Sequence, residues 1–386
     1  MSESAVTPMF RLMNGLKKST WVLSLVIFSF AVQMTIPAYA GEELRQLMNS
    51  PSEGSLIKPE NVAVIVNQLD DKSVEVGQYY LTARNIPAKN LIKVSLPKAL
   101  KAISVEEFEK LRKSVYAGLS DDIQVIVMVW TTPYAVDCNS ITSAMTFGFD
   151  NTNCVCNPAK PNFKLNPYFD SASKKPLKDY GMRLSMLLPI ESVRQAKELI
   201  DRGVLSSFKL NDGSAYLLRT DDVARSGPRE QFFPPDLAKI PAKGLTIRNM
   251  KVNAIEHRDD VMFYFTGASS VPRLETLNFL PGAIADHLTS YGGDLLGTGQ
   301  MSSMRWLIAG ATASYGTVSE PCNYWQKFPN PAVLMKHYLN GETAVEAYWK
   351  SVAWLGQGIF IGEPLAAPYQ ATRVIPTTDN NTETKQ

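Results

Sequence analysis

The chain predicts an α/β fold: a doubly wound, mostly parallel sheet assembled from two α/β halves. Three observations lead there. Near-continuous apolar runs such as Asn61–Val66 (NVAVIV) and Ile123–Trp130 (IQVIVMVW) have the composition of strands buried on both faces. Amphipathic stretches of helical length separate such runs, giving strand–helix–strand units with right-handed crossovers. A length of 386 residues with 45% hydrophobic content suits two domains or one large α/β unit with a sizeable core.

The first forty residues read as a separate object. Arg11, Lys17 and Lys18 precede the apolar stretch Trp21–Ile36, and Ala38-Tyr39-Ala40 is a small-residue cleavage site. A secretory signal peptide, cut after Ala40, is the expectation. The competing reading is an uncleaved anchor, but this stretch is short for a membrane span. No later stretch is long or apolar enough to cross a bilayer, so the mature chain is expected to be exported, periplasmic or extracellular. Removing the leader takes three from the 39 basic and one from the 37 acidic residues, leaving 36 of each. That balance gives no footprint for nucleic acid or for an anionic membrane surface.

Residues 41–58 are a polar, loose lead-in, and an N-terminal α/β half is expected over 59–205. Strand Asn61–Val66 leads to a helix over Ser73–Arg84, then strand Leu91–Leu96. Ser104 followed by Glu107 is a capping signature for a helix reaching about Ala117. Strand Ile123–Trp130 opens into 131–179, an Asn-, Cys- and Pro-rich loop with little periodicity. Order resumes at Met182–Leu188, and a helix over Ser192–Arg202 is expected to close at Gly203.

The second half, expected over 206–369, starts with strand Ala215–Leu218. Lys251–His257, Val261–Phe265 and Pro281–Ala285 read as further strands. A helix over Ser302–Trp306 runs into the apolar stretch Leu307–Ala311. Helices Ala332–Leu339 and Thr343–Val352 and a short strand Ile359–Ile361 follow, with a disordered polar tail over 370–386.

Four cysteines in an exported chain favour disulfides, with three possible connectivities. Cys154 and Cys156 would bridge each other only with strain, so each is expected to pair outward, to Cys138 and Cys322. That makes Cys322 structural rather than nucleophilic.

Ligands of open α/β sheets bind at the carboxyl ends of strands, which directs attention to the loops after Val261–Phe265 and Pro281–Ala285. His287 beside Asp286 is a candidate general base with its orienter. The plainer reading is a loop histidine bonded to backbone, because adjacent residues point different ways. Gly267, Ala268 and Ser269 in one loop, and Thr289, Ser290, Gly292 and Gly293 in the next, are candidate ligand contacts through backbone N–H groups. Tight turns would explain the same glycines. Glu320, two residues before Cys322, is a candidate for a cation or amine, or simply an exposed turn acid. No zinc spacing, EF-hand, Walker motif or nucleophile elbow occurs, so neither metal nor cofactor is expected. Asp221-Asp222 and Asp259-Asp260 read as solvated loop ends.

A resemblance emerges from ADHLTSYGG (285–293), QMSSMRW (300–306), AGATASYGTVSEPCN (309–323), KFPNP (327–331), EAYWKSV (346–352) and IGEPLAAP (361–368). ENVAVIVN (60–67) and YYLTARNIPAKN (79–90) belong to it as well. On these segments the chain resembles an uncharacterised family of exported bacterial proteins, found in species with exosortase-type sorting systems. More distantly, the strand order resembles gingipain-type, caspase-like cysteine peptidases. That likeness implies a catalytic His where Ala268 stands and a nucleophilic Cys where Asp286-His287-Leu288 stands. Both are missing. The combined expectation is a non-catalytic caspase-like protein of the cell envelope, binding a peptide, a glycan or a sorted envelope protein. The alternative is a peptidase-like hydrolase with a rearranged site around Asp286, His287 and Cys322.

Overall fold

The computed structural model describes residues 51–97, 99–154, 156, 165–208, 212–240 and 243–370. The leader with its cleavage site after Ala40, the lead-in up to residue 50 and the tail from 371 lie outside the described residues. No helix among the described residues is long and apolar enough to cross a membrane.

The N-terminal strands are β1 (Val62–Asn67), β2 (Leu91–Val94), β4 (Val125–Val129) and β7 (Leu184–Leu187), all mutually parallel. Between them, α1 (Asp71–Ala83) starts at the Asp70 cap, and α2 (Val105–Ala117) starts at Ser104. The capping box forms as the sequence predicts: the Ser104 side chain accepts from Glu107 N–H while the Glu107 carboxylate accepts from Ser104 N–H. The loop expected over 131–179 is more ordered than its lack of periodicity implied. It holds β5 (Ala135–Val136) and β6 (Asn139–Ser140), which join β3 (Ala102–Ile103) in a small sheet, and the helices α3 (Ile141–Phe147) and α4 (Pro176–Tyr180). Helix α5 (Val193–Ser206) does not close at Gly203. That glycine lies inside it because a Cβ there would collide with the Glu363 carboxylate.

The second half contributes β8 (Gly213–Leu218), β9 (Leu237–Ile240), β10 (Leu245–Met250), β11 (Arg258–Gly267), β12 (Leu277–Leu288) and β13 (Ala313–Thr317). Helix α6 (Val223–Glu230) and strand β10 have no counterpart in the sequence reading, and the strand expected at Lys251–His257 is irregular chain that turns at His257 (φ 52°). Helix α7 (Met304–Ala309) absorbs most of the apolar run Leu307–Ala311, and the strand follows as β13. Helices α8 (Pro331–Leu339) and α9 (Ala344–Ser351) precede β14 (Gly358–Gly362).

All the larger strands form one sheet, ordered β2-β1-β4-β7-β14-β13-β12-β11-β8-β10-β9. Helices α1, α8 and α9 bury their apolar side chains in one cluster and α2 and α3 in a second. Helices α5 and α7 contribute to both, α5 through Ala196 and Ile200 to the first and Leu199 to the second, and α7 through Trp306 to the first and Met304 and Leu307 to the second. The mostly parallel, doubly wound α/β class is thus observed, with one feature the sequence did not announce. Strand β14 is parallel to β7 but antiparallel to β13. The two parallel halves therefore run in opposite directions, and the carboxyl ends of β13, β12, β11 and β8 share an edge with the amino ends of β14 and β7.

Candidate functional site

The candidate residues converge on that shared edge. Strand β12 runs buried through Leu288, so Asp286 and His287 are strand residues rather than loop residues, and their side chains leave on opposite faces.

Asp286 is sealed in. Its carboxylate pairs with Arg229 of α6, and both side chains are buried. The Arg229 guanidinium also donates to the Thr266 carbonyl at 2.7 Å and lies 5.6 Å from the Phe265 ring. The Tyr348 hydroxyl reaches the other carboxylate oxygen at 3.5 Å. Burial pushes the Asp286 carboxyl above its usual range, and Arg229 opposes that shift. The charge serves to neutralise a buried arginine.

His287 has both ring nitrogens committed. The Trp306 indole N–H, which can only donate, gives its hydrogen bond to Nδ1 at 2.9 Å. Nε2 must then carry the proton, and it donates to the Met301 carbonyl at 2.9 Å. The ring is neutral, buried and held in one tautomer, and burial lowers its pKa to about 4. A base needs a free lone pair facing its proton; here Trp306 occupies it. Asp286, on the opposite face, does not orient this ring.

Cys322 is bonded to Cys156, and Cys138 to Cys154, so the outward pairing expected of the C-x-C is the one observed. A thiolate mechanism at Cys322 is closed while that bond stands. Two disulfides suit an oxidising, exported environment.

The loop candidates gather around the start of α6. A Cβ on Gly267 would collide with the Arg225 backbone, while Gly293 and Gly316 would collide with each other's neighbouring backbone. Gly292 packs beside Thr289 and Gly316. These glycines admit close chain crossings. Thr289 accepts from Arg225 Nε at 3.1 Å and donates to Gln300 Oε1 at 2.8 Å. The Ser290 carbonyl accepts from Thr317 Oγ1 at 2.9 Å, and the Ser269 carbonyl accepts from Met301 N–H at 2.9 Å. Ala268 is half-buried against the core, whereas the Ser269 and Glu320 side chains are exposed. Glu320 Oε1 accepts from Cys322 N–H at 2.8 Å, and Asn323 Nδ2 donates to the Ala224 carbonyl at 3.1 Å, which draws the Cys322 loop over α6.

Sequence reasoning missed Arg225, Arg229, Gln300 and Trp306, which hold the candidates in place. A signal for α6 existed in Asp222, whose side chain caps the helix by accepting from Arg225 N–H at 3.3 Å. Gly227-Pro228 hid it by reading as a break. Among the described residues, no group of three or more His, Cys, Asp or Glu is placed to hold a metal ion.

No family model matches the chain, and no curated protein matches it. Solved structures do, at a distance. One is described as the structure of a protease, with 10% identity over 83% of this chain and 81% of that one, TM-score 0.40. Another is the Arg-specific cysteine proteinase gingipain R, at 10% identity over 82% and 80%, TM-score 0.40. A third is the complex of the RgpB pro- and mature domains from Porphyromonas gingivalis, at 8% identity over 80% and 79%, TM-score 0.41. These are remote likenesses.

Proposed function

We propose that this chain is an exported, non-catalytic binding protein of the cell envelope, whose strand-end loops hold a peptide, a glycan or a sorted envelope protein. One observation carries the reading: the three side chains that the sequence offers for catalysis, those of Asp286, His287 and Cys322, are each bound up inside the fold. Asp286 is spent on Arg229, the lone pair of His287 on Trp306, and the sulfur of Cys322 on Cys156. What the edge offers outward are the Ser269, Ser270, Tyr291 and Glu320 side chains, all exposed, set on a frame cross-linked by Arg225, Gln300 and Thr317. Such a frame suits recognition, because a preorganised surface loses little freedom on binding. The sequence resemblance to proteins of exosortase-bearing species makes sorted envelope proteins the first partners to test.

The test has two arms. The mature protein is incubated with a chromogenic peptide library, and with iodoacetamide under non-reducing conditions. No turnover and no alkylation of Cys322 are expected. Turnover that disappears in Asp286→Ala or His287→Ala would replace this reading with a hydrolase. In the second arm, purified envelope proteins and glycans are screened by thermal shift. A stabilising ligand is expected, and its effect should vanish in the double variant Ser269→Asp/Ser290→Asp; a ligand indifferent to that variant would move the site elsewhere.

A further inference from the structure

The last turn of α8 holds a histidine that faces more acceptors than one proton can serve. His337 is buried, and each of its ring nitrogens meets a carboxylate: Nδ1 lies 3.0 Å from Glu342 Oε1, and Nε2 lies 3.0 Å from Asp170 Oδ1. A neutral imidazole has one N–H and one lone pair, and an ionised carboxylate only accepts. Both contacts are hydrogen bonds only when the ring carries a second proton. Without it, a lone pair meets a lone pair at hydrogen-bond distance. His287 is the converse case, because one of its neighbours donates and the other accepts.

Both carboxylates also have a cationic partner. Burial resists the charge of Asp170, but the bonds from His337 and Lys336 outweigh it and hold that carboxyl below its usual range. Lys350 Nζ of α9 lies 2.7 Å from Glu342 Oε2. Glu346, on the same helix, behaves differently: burial, then the charge of Glu342, push its carboxyl up, and it accepts from Thr343 N–H at 2.9 Å. The Tyr168 ring closes the cluster, 4.9 Å from Lys350 Nζ. Lys336 and Lys350 thus match Asp170 and Glu342 in charge, so the sum of charges does not decide the state of the ring. Its two acceptors do, helped by the carbonyl end of α8, where a positive charge is favoured.

The two bonds join separate stretches of chain. Glu342 lies in the turn between α8 and α9, whereas Asp170 belongs to the irregular segment 165–175 ahead of α4. Backbone bonds lay that segment on α9 and the chain just after it: Asn166 N–H donates to the Ala353 carbonyl at 2.8 Å and Asp170 N–H to the Lys350 carbonyl at 2.9 Å. The Asp170 backbone is left-handed, at φ 49°, a conformation that its contacts must hold. Its side chain is 38% exposed against 2% for Glu342, so water reaches the ring from the Asp170 end.

We propose that His337 is a proton-operated clasp: doubly protonated, it ties Asp170 to Glu342 and holds the segment 165–175 against α9; as pH rises it gives a proton to water, and the bond to Asp170 opens. Only hydrogen bonds change. The Asp170 bond is the one that yields because Glu342 is buried and fixed by Lys350. The clasp closes in acid, the opposite of the response set by His287, and it stands whether or not the strand-end loops bind a ligand.

Two measurements on the mature protein test it. Long-range proton–nitrogen NMR of the histidine-labelled chain should show, at pH 5.5, protons on both ring nitrogens of His337 and on only one of His287. Hydrogen exchange then follows the segment: from pH 5.5 to 8.5 the amides of Asn166 and Asp170 should lose about ten-fold in protection relative to those of β4. In His337→Gln that ratio should stop varying with pH. Asp170→Asn alters an exposed position and gives the ring a partner that can donate as well as accept, so the segment should stay closed at pH 8.5. A singly protonated His337 at pH 5.5, a protection ratio indifferent to pH, or a pH dependence that survives both variants overturns the proposal.

Discussion

Each half of the sheet buries an arginine–carboxylate pair, and the two are built differently. Glu363, just past β14, pairs with Arg84 and receives four kinds of donor: Arg84 Nε at 3.0 Å, Arg84 Nη2, the Tyr80 hydroxyl at 2.7 Å and Leu365 N–H at 3.2 Å. Asp286 receives Arg229 and one long contact from Tyr348, and Arg229 Nε lacks a partner. A buried ion pair breaks even only when its remaining lone pairs and protons are satisfied. The first pair meets that condition and ties α1 to β14 and α5. The second does not, so it is the weaker clamp.

The largest test of this contrast compares Glu363→Ala with Asp286→Ala in urea unfolding. Either leaves a buried guanidinium unpaired, at about 3–5 kcal/mol. The Glu363 variant should stand at the upper end and the Asp286 variant at the lower; equal losses would erase the distinction.

A second test concerns acid. His287 has a folded pKa near 4 against 6.5 unfolded, so between these values the unfolded chain binds one more proton. Its contribution is present in full above pH 6.5 and is lost as pH falls towards 4, with a limit of about 3 kcal/mol. His287→Gln should flatten the fall in stability over that window. An unchanged pH profile would show that the ring's surroundings do not exclude its charged form.

Third come the glycines that make room beside each region. Gly203→Ala presses a methyl group into the Glu363 carboxylate, and Gly267→Ala presses one into the Arg225 backbone. Overpacking costs about 1–3 kcal/mol, and more is expected at Gly267, where backbone rather than a side chain must yield. Melting temperatures of the two variants give the order, and the reverse order would mean that α6 moves easily. The smallest contrast is between hydroxyls. Tyr80→Phe should cost about 1 kcal/mol by removing a 2.7 Å bond to Glu363, whereas Tyr348→Phe, at 3.5 Å from Asp286, should stay below about 0.5 kcal/mol.

The strands whose burial is local and two-sided could be read from the sequence: β4 is apolar at every position and β1 at every position before Asn67, and α2 announces itself through Ser104 and Glu107. Strand β10 escaped because it is half-exposed, with Thr246, Arg248 and Asn249 breaking its apolar pattern. Helix α6 escaped because Gly227-Pro228 signals a turn, while tertiary contact with β11 overrides that preference. The site residues were found, but their states were not. His287 is defined by Met301 and Trp306, fourteen and nineteen positions on, and Asp286 by Arg229, fifty-seven positions back. Partners at those separations leave no periodicity in the chain.

Strand β14 carries a consequence for the order in which the molecule is made. It is the last strand among the described residues, yet it is fifth of eleven in the sheet, flanked by β7 and β13. As synthesis proceeds from the N-terminus, every other strand of the described sheet is complete before residues 358–362 emerge. Until then β7 and β13 each show an open, hydrogen-bonding edge, the kind that seeks wrong partners. The two halves become one sheet only when the closing strand slots between them, so an end-truncated chain is expected to yield two sticky fragments of sheet rather than a shortened protein.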